Sequence, residues 1–143
     1  MEQQIRTGKN KIDKAHYKFT YDSPVMGAQF HILLDVLFEE NHYCTLVKRK
    51  VDHPFLSTEE PYVEVTMPSV NCILGDKLTA FAPHTTGIPF GVDKELEIIK
   101  QLYDVSVLAD AHDNFDDVYA SYIATVKAEL AYRGLSNSPD EVL

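Results

Sequence analysis

Four ionisable residues in this chain stand where a plain packing element has no need of them: Asp35, Lys77, Lys100 and Asp104. Lys77 lies in PSVNCILGDKLTAFAPHTTGIPFG, with Ile73 and Leu74 one turn before it and Ala80 and Phe81 one turn after. Residues three and four apart share a helix face, so in a helix this ammonium projects from an apolar surface. Asp76 sits beside it. Lys100 and Asp104 lie in KELEIIKQLYDVSVLAD, four apart and able to pair across one turn, with Tyr103 between them. Asp35 interrupts the apolar run of QFHILLDVLFEEN. In a strand its face-mates are Leu33 and Leu37, and an ionised carboxylate there is costly unless paired, hydrogen-bonded or bound to a metal.

Each of these residues admits two chemistries. Asp35 is either a structural carboxylate that satisfies a backbone group, or a strand carboxylate that binds a divalent cation or acts as a base. Lys77 either snorkels, its stem covering apolar surface while the ammonium stays in water, or aims its charge at a phosphate or at a carboxylate such as Asp35. Lys100 with Asp104 reads most simply as an exposed helix pair. The six histidines show no HxH or HxxxH spacing, which argues against a zinc site. No Walker loop, GxSxG turn or Rossmann fingerprint occurs.

The elements that must position these residues follow from pattern. AHYKFTYDS alternates, Tyr17, Phe19 and Tyr21 on one side and His16, Lys18 and Thr20 on the other, as a half-buried strand does. Ser23-Pro24 and Gly27 mark a turn. The run from Phe30 to Phe38 is apolar on both faces, which suits a central strand covered on both sides. Strands are expected near residues 15–22, 29–38, 44–51 and 62–67, in one antiparallel sheet with Asp35 on a central strand. Helices are expected near 70–82, 94–110 and 114–133. Ser69 and Asn114 are suitable N-caps, Pro83 ends the first helix and Gly134 ends the third. Strands first and helices after indicate an α+β fold: an antiparallel sheet over residues 15–67, then a three-helix portion over 70–133.

A length of 143 residues fits a single domain. The polar ends, 1–14 and 135–143, are expected to be flexible. With 13 basic and 22 acidic side chains the net charge is −9, which argues against a general nucleic-acid coat while leaving a local basic cleft open. Two cysteines, Cys44 and Cys72, are too few for a disulfide framework. A reduced, cytoplasmic setting is expected. The first fourteen residues carry no apolar signal-peptide core, and no apolar run approaches a membrane span.

In order and spacing, HILLDVLFEEN, ILGDKLTAFAPHTTGIPFG and EIIKQLYDV together resemble the nucleotidyl transferase AbiEii/AbiGii toxin family of bacterial abortive-infection and toxin–antitoxin systems. The similarity spans residues 15–133. It implies a nucleotidyltransferase-type sheet followed by helices, an NTP with Mg²⁺ as cofactors, RNA such as tRNA ends as acceptor, and an antitoxin as partner. By resemblance Asp35 is the strand carboxylate, catalytic and metal-binding. Lys77 is the lysine of the third motif, catalytic and cofactor-binding, with Lys100 as a second cofactor-binding cation. Asp104 is the catalytic aspartate of the fourth motif, which here reads KQLYDV. The family's first motif, a Gly-Ser or Gly-Gly-Thr turn followed by Asp-x-Asp, is absent from this sequence.

The expectation is therefore the C-terminal part of such an enzyme, inactive by itself because carboxylates hold the metal in this chemistry. Neither Mg²⁺ nor NTP is expected to bind it tightly. It should self-associate through an open sheet edge and face. In that reading Asp35, Lys77 and Asp104 face a shared cleft. Two readings compete: a non-catalytic module that keeps the fold and binds a partner or the missing N-terminal half, and a structural domain in which Asp35 and Lys77 form a buried ion pair.

Overall fold

Alternating side chains and one left-handed glycine make the hairpin that carries Asp35. Strand β2 (Asp13–Ser23) turns through Pro24–Gly27 into β3 (Ala28–Phe38). Gly27 takes φ 60°, a conformation that costs other residues a steric clash, and its N–H donates to the Ser23 carbonyl at 2.9 Å. The Ser23 hydroxyl accepts from Met26 N–H at 3.2 Å. The β2–β3 ladder is antiparallel and unbroken, with Tyr17 opposite Leu34, Phe19 opposite Ile32 and Tyr21 opposite Phe30. Facing residues share a side of the sheet, so these six form one apolar face. The Tyr21 and Phe30 rings meet edge to face at 6.2 Å.

The computed structural model describes residues 2–7 and 13–143. They fall into two compact units, Met1–Asn41 and His42–Leu143. In the first unit, β1 (Glu2–Thr7) pairs antiparallel with β2 to give the order β1-β2-β3. Residues 2–7 were expected to be a loose arm; backbone pairing makes them a strand that their polar side chains do not announce. Residues 1 and 8–12 of that arm lie outside the described residues. β3 is an outer strand of its sheet rather than a central one. Phe30, Ile32, Leu33 and Leu34 are all exposed. A mostly apolar run records that both faces are apolar, not that both are covered.

In the second unit, β4 (Leu46–Lys50) pairs antiparallel with β5 (Glu64–Pro68) as a separate two-stranded sheet. The four expected strands thus exist, but in two sheets: each pairs with its neighbour in sequence. Helix α1 (Val70–Ala80) follows at once, its N-cap Ser69 accepting from Cys72 N–H. Helix α2 is Glu95–Ala111 and α3 is Phe115–Arg133. Asn114 caps α3 by accepting from Asp116 N–H, and Asp116 and Asp117 place negative charge in its first turn, where the helix dipole favours it. Gly134, at φ 68°, ends α3 by the left-handed route.

The core of this unit is the α1–α3 contact. α1 buries Asn71, Cys72, Leu74, Gly75 and Thr79, and α3 buries Val118, Ser121, Tyr122, Val126 and Leu130. The tail, expected to be flexible, folds back onto this core. Val142 is buried beside Tyr122, Val126 and Leu130. The Tyr122 hydroxyl donates to the Pro139 carbonyl at 2.7 Å, and burial, aided by nearby Asp140, raises its pKa. A short 3₁₀ turn, Pro139–Glu141, is closed by a capping box between Ser138 and Glu141.

Gly75 is the point of closest approach. A Cβ there would lie 2.4 Å from the Val118 carbonyl oxygen, 2.7 Å from Tyr122 N and 2.9 Å from Ser121 Cβ. Two of those neighbours are backbone atoms and cannot swing aside. Gly75→Ala is therefore expected to destabilise the second unit by about 3 kcal/mol, at the upper end of overpacking costs despite alanine's better helix propensity. A urea-unfolding midpoint equal to or above that of the parent chain would contradict this account.

Candidate functional site

Lys77 sits in the last turn of α1, on the side turned to α2. Its Nζ lies 2.9 Å from Asp104 Oδ2, and the two side chains are 30% and 28% exposed. Gln101 Oε1 accepts from the same ammonium at 3.3 Å. Gln101 and Asp104 are three apart on α2 and so share a face. The Lys77 ammonium is thus held between two oxygens of one helix rather than snorkelling freely to water. Two of the three residues singled out as catalytic meet directly. Asp104 finds its cation across the helix interface, not in Lys100 on its own helix; Lys100 is exposed. A shallow crease lined by Ala80, Phe81, Pro83, Ile88, Ile98 and Gln101 adjoins this pair.

Asp35 lies in the first unit. Its Oδ1 is 2.6 Å from His16 Nδ1, its cross-strand neighbour, and its side chain is 67% exposed. The imidazole donates to the carboxylate, which supplies the partner that an acid among leucines needs. Within its own unit each charge has a partner: Asp35, exposed, has His16, and Lys77 has Asp104.

Pattern reading overlooked the polar ties around α1. Tyr43 donates its hydroxyl to Asp76 Oδ2 at 2.9 Å, so Asp76 is a fastening point rather than a free acid beside Lys77. Thr45 Oγ1 donates to Asp117 Oδ2 at 3.1 Å. Asn71, buried, exchanges two hydrogen bonds with Asp113: its amide donates to Oδ1 at 2.9 Å and its oxygen accepts from the backbone N–H at 3.1 Å. Of these, only Gln101 carried a local signal, its spacing of three from Asp104. The others join residues more than thirty positions apart, which no periodicity encodes.

The donor set does not by itself fit a divalent cation. Among the described residues no three His, Cys, Asp or Glu side chains gather. Mg²⁺ wants near-octahedral oxygen ligation, and the single carboxylate Asp35 leaves most of that shell unsupplied. The arrangement does offer one oriented ammonium at a helix end, the kind of group that receives a phosphate oxygen.

A double-mutant cycle measures the pair. Lys77→Met and Asp104→Asn should each destabilise the second unit, with a coupling energy of about 1 kcal/mol, because both groups are partly withdrawn from water. Additive losses in chemical denaturation would show that the two charges do not interact.

Against known proteins, a family model described as nucleotidyl transferase AbiEii toxin, type IV TA system, matches residues 1–142. No curated protein and no solved structure matches.

Proposed function

We propose, on the premise that this chain belongs to the nucleotidyl transferase AbiEii toxin family of type IV toxin–antitoxin systems, that it provides the phosphate-binding, Lys77-bearing part of a nucleotidyl transfer site and does not complete that site alone. The observation that carries this reading is the Lys77–Asp104 pair. The two residues that the family resemblance names from separate motifs, 27 positions apart, meet at hydrogen-bond distance.

In this reading Lys77 neutralises the triphosphate of an NTP, and Asp104 and Gln101 orient the ammonium without competing for the reacting phosphorus. Lys100 adds a second cation for the same phosphates. Asp35 is the carboxylate assigned to metal binding. A Mg²⁺ ion, when bound, neutralises charge on the transferred group. Carboxylates of an Asp-x-Asp turn, which these 143 residues lack, are needed to hold it. The acceptor is an RNA end, the setting is the bacterial cytoplasm during abortive infection, and an antitoxin is the functional counterpart. Among the described residues no helix is long and apolar enough to cross a membrane.

The 143-residue chain, incubated with labelled NTPs, Mg²⁺ and total tRNA, is expected to transfer no label. Adding a polypeptide that carries the Gly-Ser/Asp-x-Asp motif should restore transfer to the parent chain but not to Lys77→Ala or Asp35→Ala. Transfer by the unaided chain would overturn the claim of incompleteness. Restored transfer that survives Lys77→Ala would overturn the site.

A second reading, a partner-binding module of the same family without catalysis, is favoured by the exposed apolar side chains of the outer strand β3, Phe30, Ile32, Leu33 and Leu34. Outer strands of this kind associate readily. The chain is expected to sediment as oligomers at high concentration and to shift towards monomer on Ile32→Lys. A clean monomer across the concentration range would remove this support.

A further inference from the structure

Two thiols face each other in the second unit without being bonded. Cys44 Sγ and Cys72 Sγ are 3.4 Å apart, and both cysteines are free. Cys72 is wholly buried in the first turn of α1, whereas Cys44, on the segment leading into β4, is exposed. We propose that Cys44 and Cys72 form a reversible intramolecular disulfide when the chain meets a low-molecular-weight disulfide such as glutathione disulfide. The inference is independent of the nucleotidyl-transfer reading.

The geometry supports it in three ways. First, a disulfide needs its sulfurs at about 2.0 Å, and these already lie 3.4 Å apart. Second, the segment bearing Cys44 is already fastened on both sides: Tyr43 to Asp76 of α1, and Thr45 to Asp117 of α3. These ties hold one thiol against the other and give a high effective concentration. Third, Cys72 occupies a helix N-terminus, where the dipole favours the thiolate. Burial alone would raise its pKa, but hydrogen bonds from Ser121, Ser69, Cys44 and the Thr45 backbone outweigh burial and lower it.

Exposure assigns the order of events. The Cys44 thiolate attacks one sulfur of glutathione disulfide, forming a mixed disulfide and expelling one glutathione thiolate. Cys72, deprotonated, then attacks Cys44 Sγ; the protein disulfide forms and the second glutathione leaves. Two protein thiols lose two protons and two electrons, and one glutathione disulfide takes them up to become two glutathiones. In a reducing compartment such a bond is transient, as redox-sensing disulfides are. The product ties the start of β4 covalently to the helix that carries Lys77.

The test uses the full chain, reduced and equilibrated anaerobically with glutathione buffers of graded ratio, with intact mass and non-reducing peptide mapping as readouts. The expected result is the loss of two hydrogens and a Cys44–Cys72 linked peptide, independent of protein dilution. The midpoint should fall at an oxidised-to-reduced glutathione ratio at least about tenfold lower for the folded chain than in urea, because the fold supplies the proximity. Cys72→Ala should trap Cys44 as its glutathione adduct, and Cys44→Ala should leave Cys72 unmodified. A stable glutathione adduct on the parent chain, cross-linked dimers, or a midpoint no lower than in urea would overturn the proposal. The comparison of folded and urea-unfolded parent chain decides the matter even if a variant fails to fold.

Discussion

Helix α1 can lie against α3 only because position 75 has no side chain. The backbone of α3 passes so close that even a methyl group would meet the Val118 carbonyl. From that approach follows nearly everything described in the second unit. It withdraws Cys72, Leu74 and Thr79 from water. It brings Asn71 within reach of Asp113 and the two cysteines within reach of each other. It also sets the rotation of α1, and hence the side from which Lys77 emerges. Close helix packing at a glycine is rigid because the contact is largely backbone to backbone, with no rotamer left to absorb a change.

α2 is attached on different terms. It has no fully buried residue, and Leu96, Ile99, Leu102, Tyr103 and Val107 remain exposed. Apolar burial, worth roughly 25 cal/mol per Å², is only partial here, through Ile98, Val105 and Leu108. A polar tie adds to it: the Lys77 ammonium between Gln101 and Asp104. A half-buried ion pair is a weak source of stability but a specific one, because only one rotation of α2 satisfies it. The residues read as chemical are therefore also those that fix how α2 sits on α1.

Sequence made the elements legible and their partners largely not. Alternation at Tyr17, Phe19 and Tyr21 placed β2, and caps at Ser69, Asn114 and Gly134 placed helix ends to within a residue or two. These signals are local, and local signals survive without a fold. β1 was missed because EQQIRT holds its place through backbone pairing. The run from Phe30 to Phe38 was misjudged as central because apolarity is a property of the residue and coverage a property of the neighbours. At the site, motif resemblance singled out Lys77 and Asp104, but spacing alone pointed to Lys100 as the partner of Asp104. The choice between them depends on how α1 and α2 cross, which no short window contains. For the same reason Tyr43–Asp76 and Cys44–Cys72 became visible only in three dimensions.

If Lys77 receives an anion, as proposed above, the sharing of its ammonium between a helix and a ligand joins two equilibria. An anion that draws Lys77 away from Asp104 leaves a half-buried carboxylate without its cation and removes a tie between α1 and α2. Anion affinity is then diminished by the free energy of that undocking. Reciprocity requires the converse: anything that grips α2 from its open, apolar side and alters its docking changes anion affinity by the same factor. The outer face of α2 and the Lys77 ammonium are, in this sense, two handles on one lever, although no ligand of the one need touch the other.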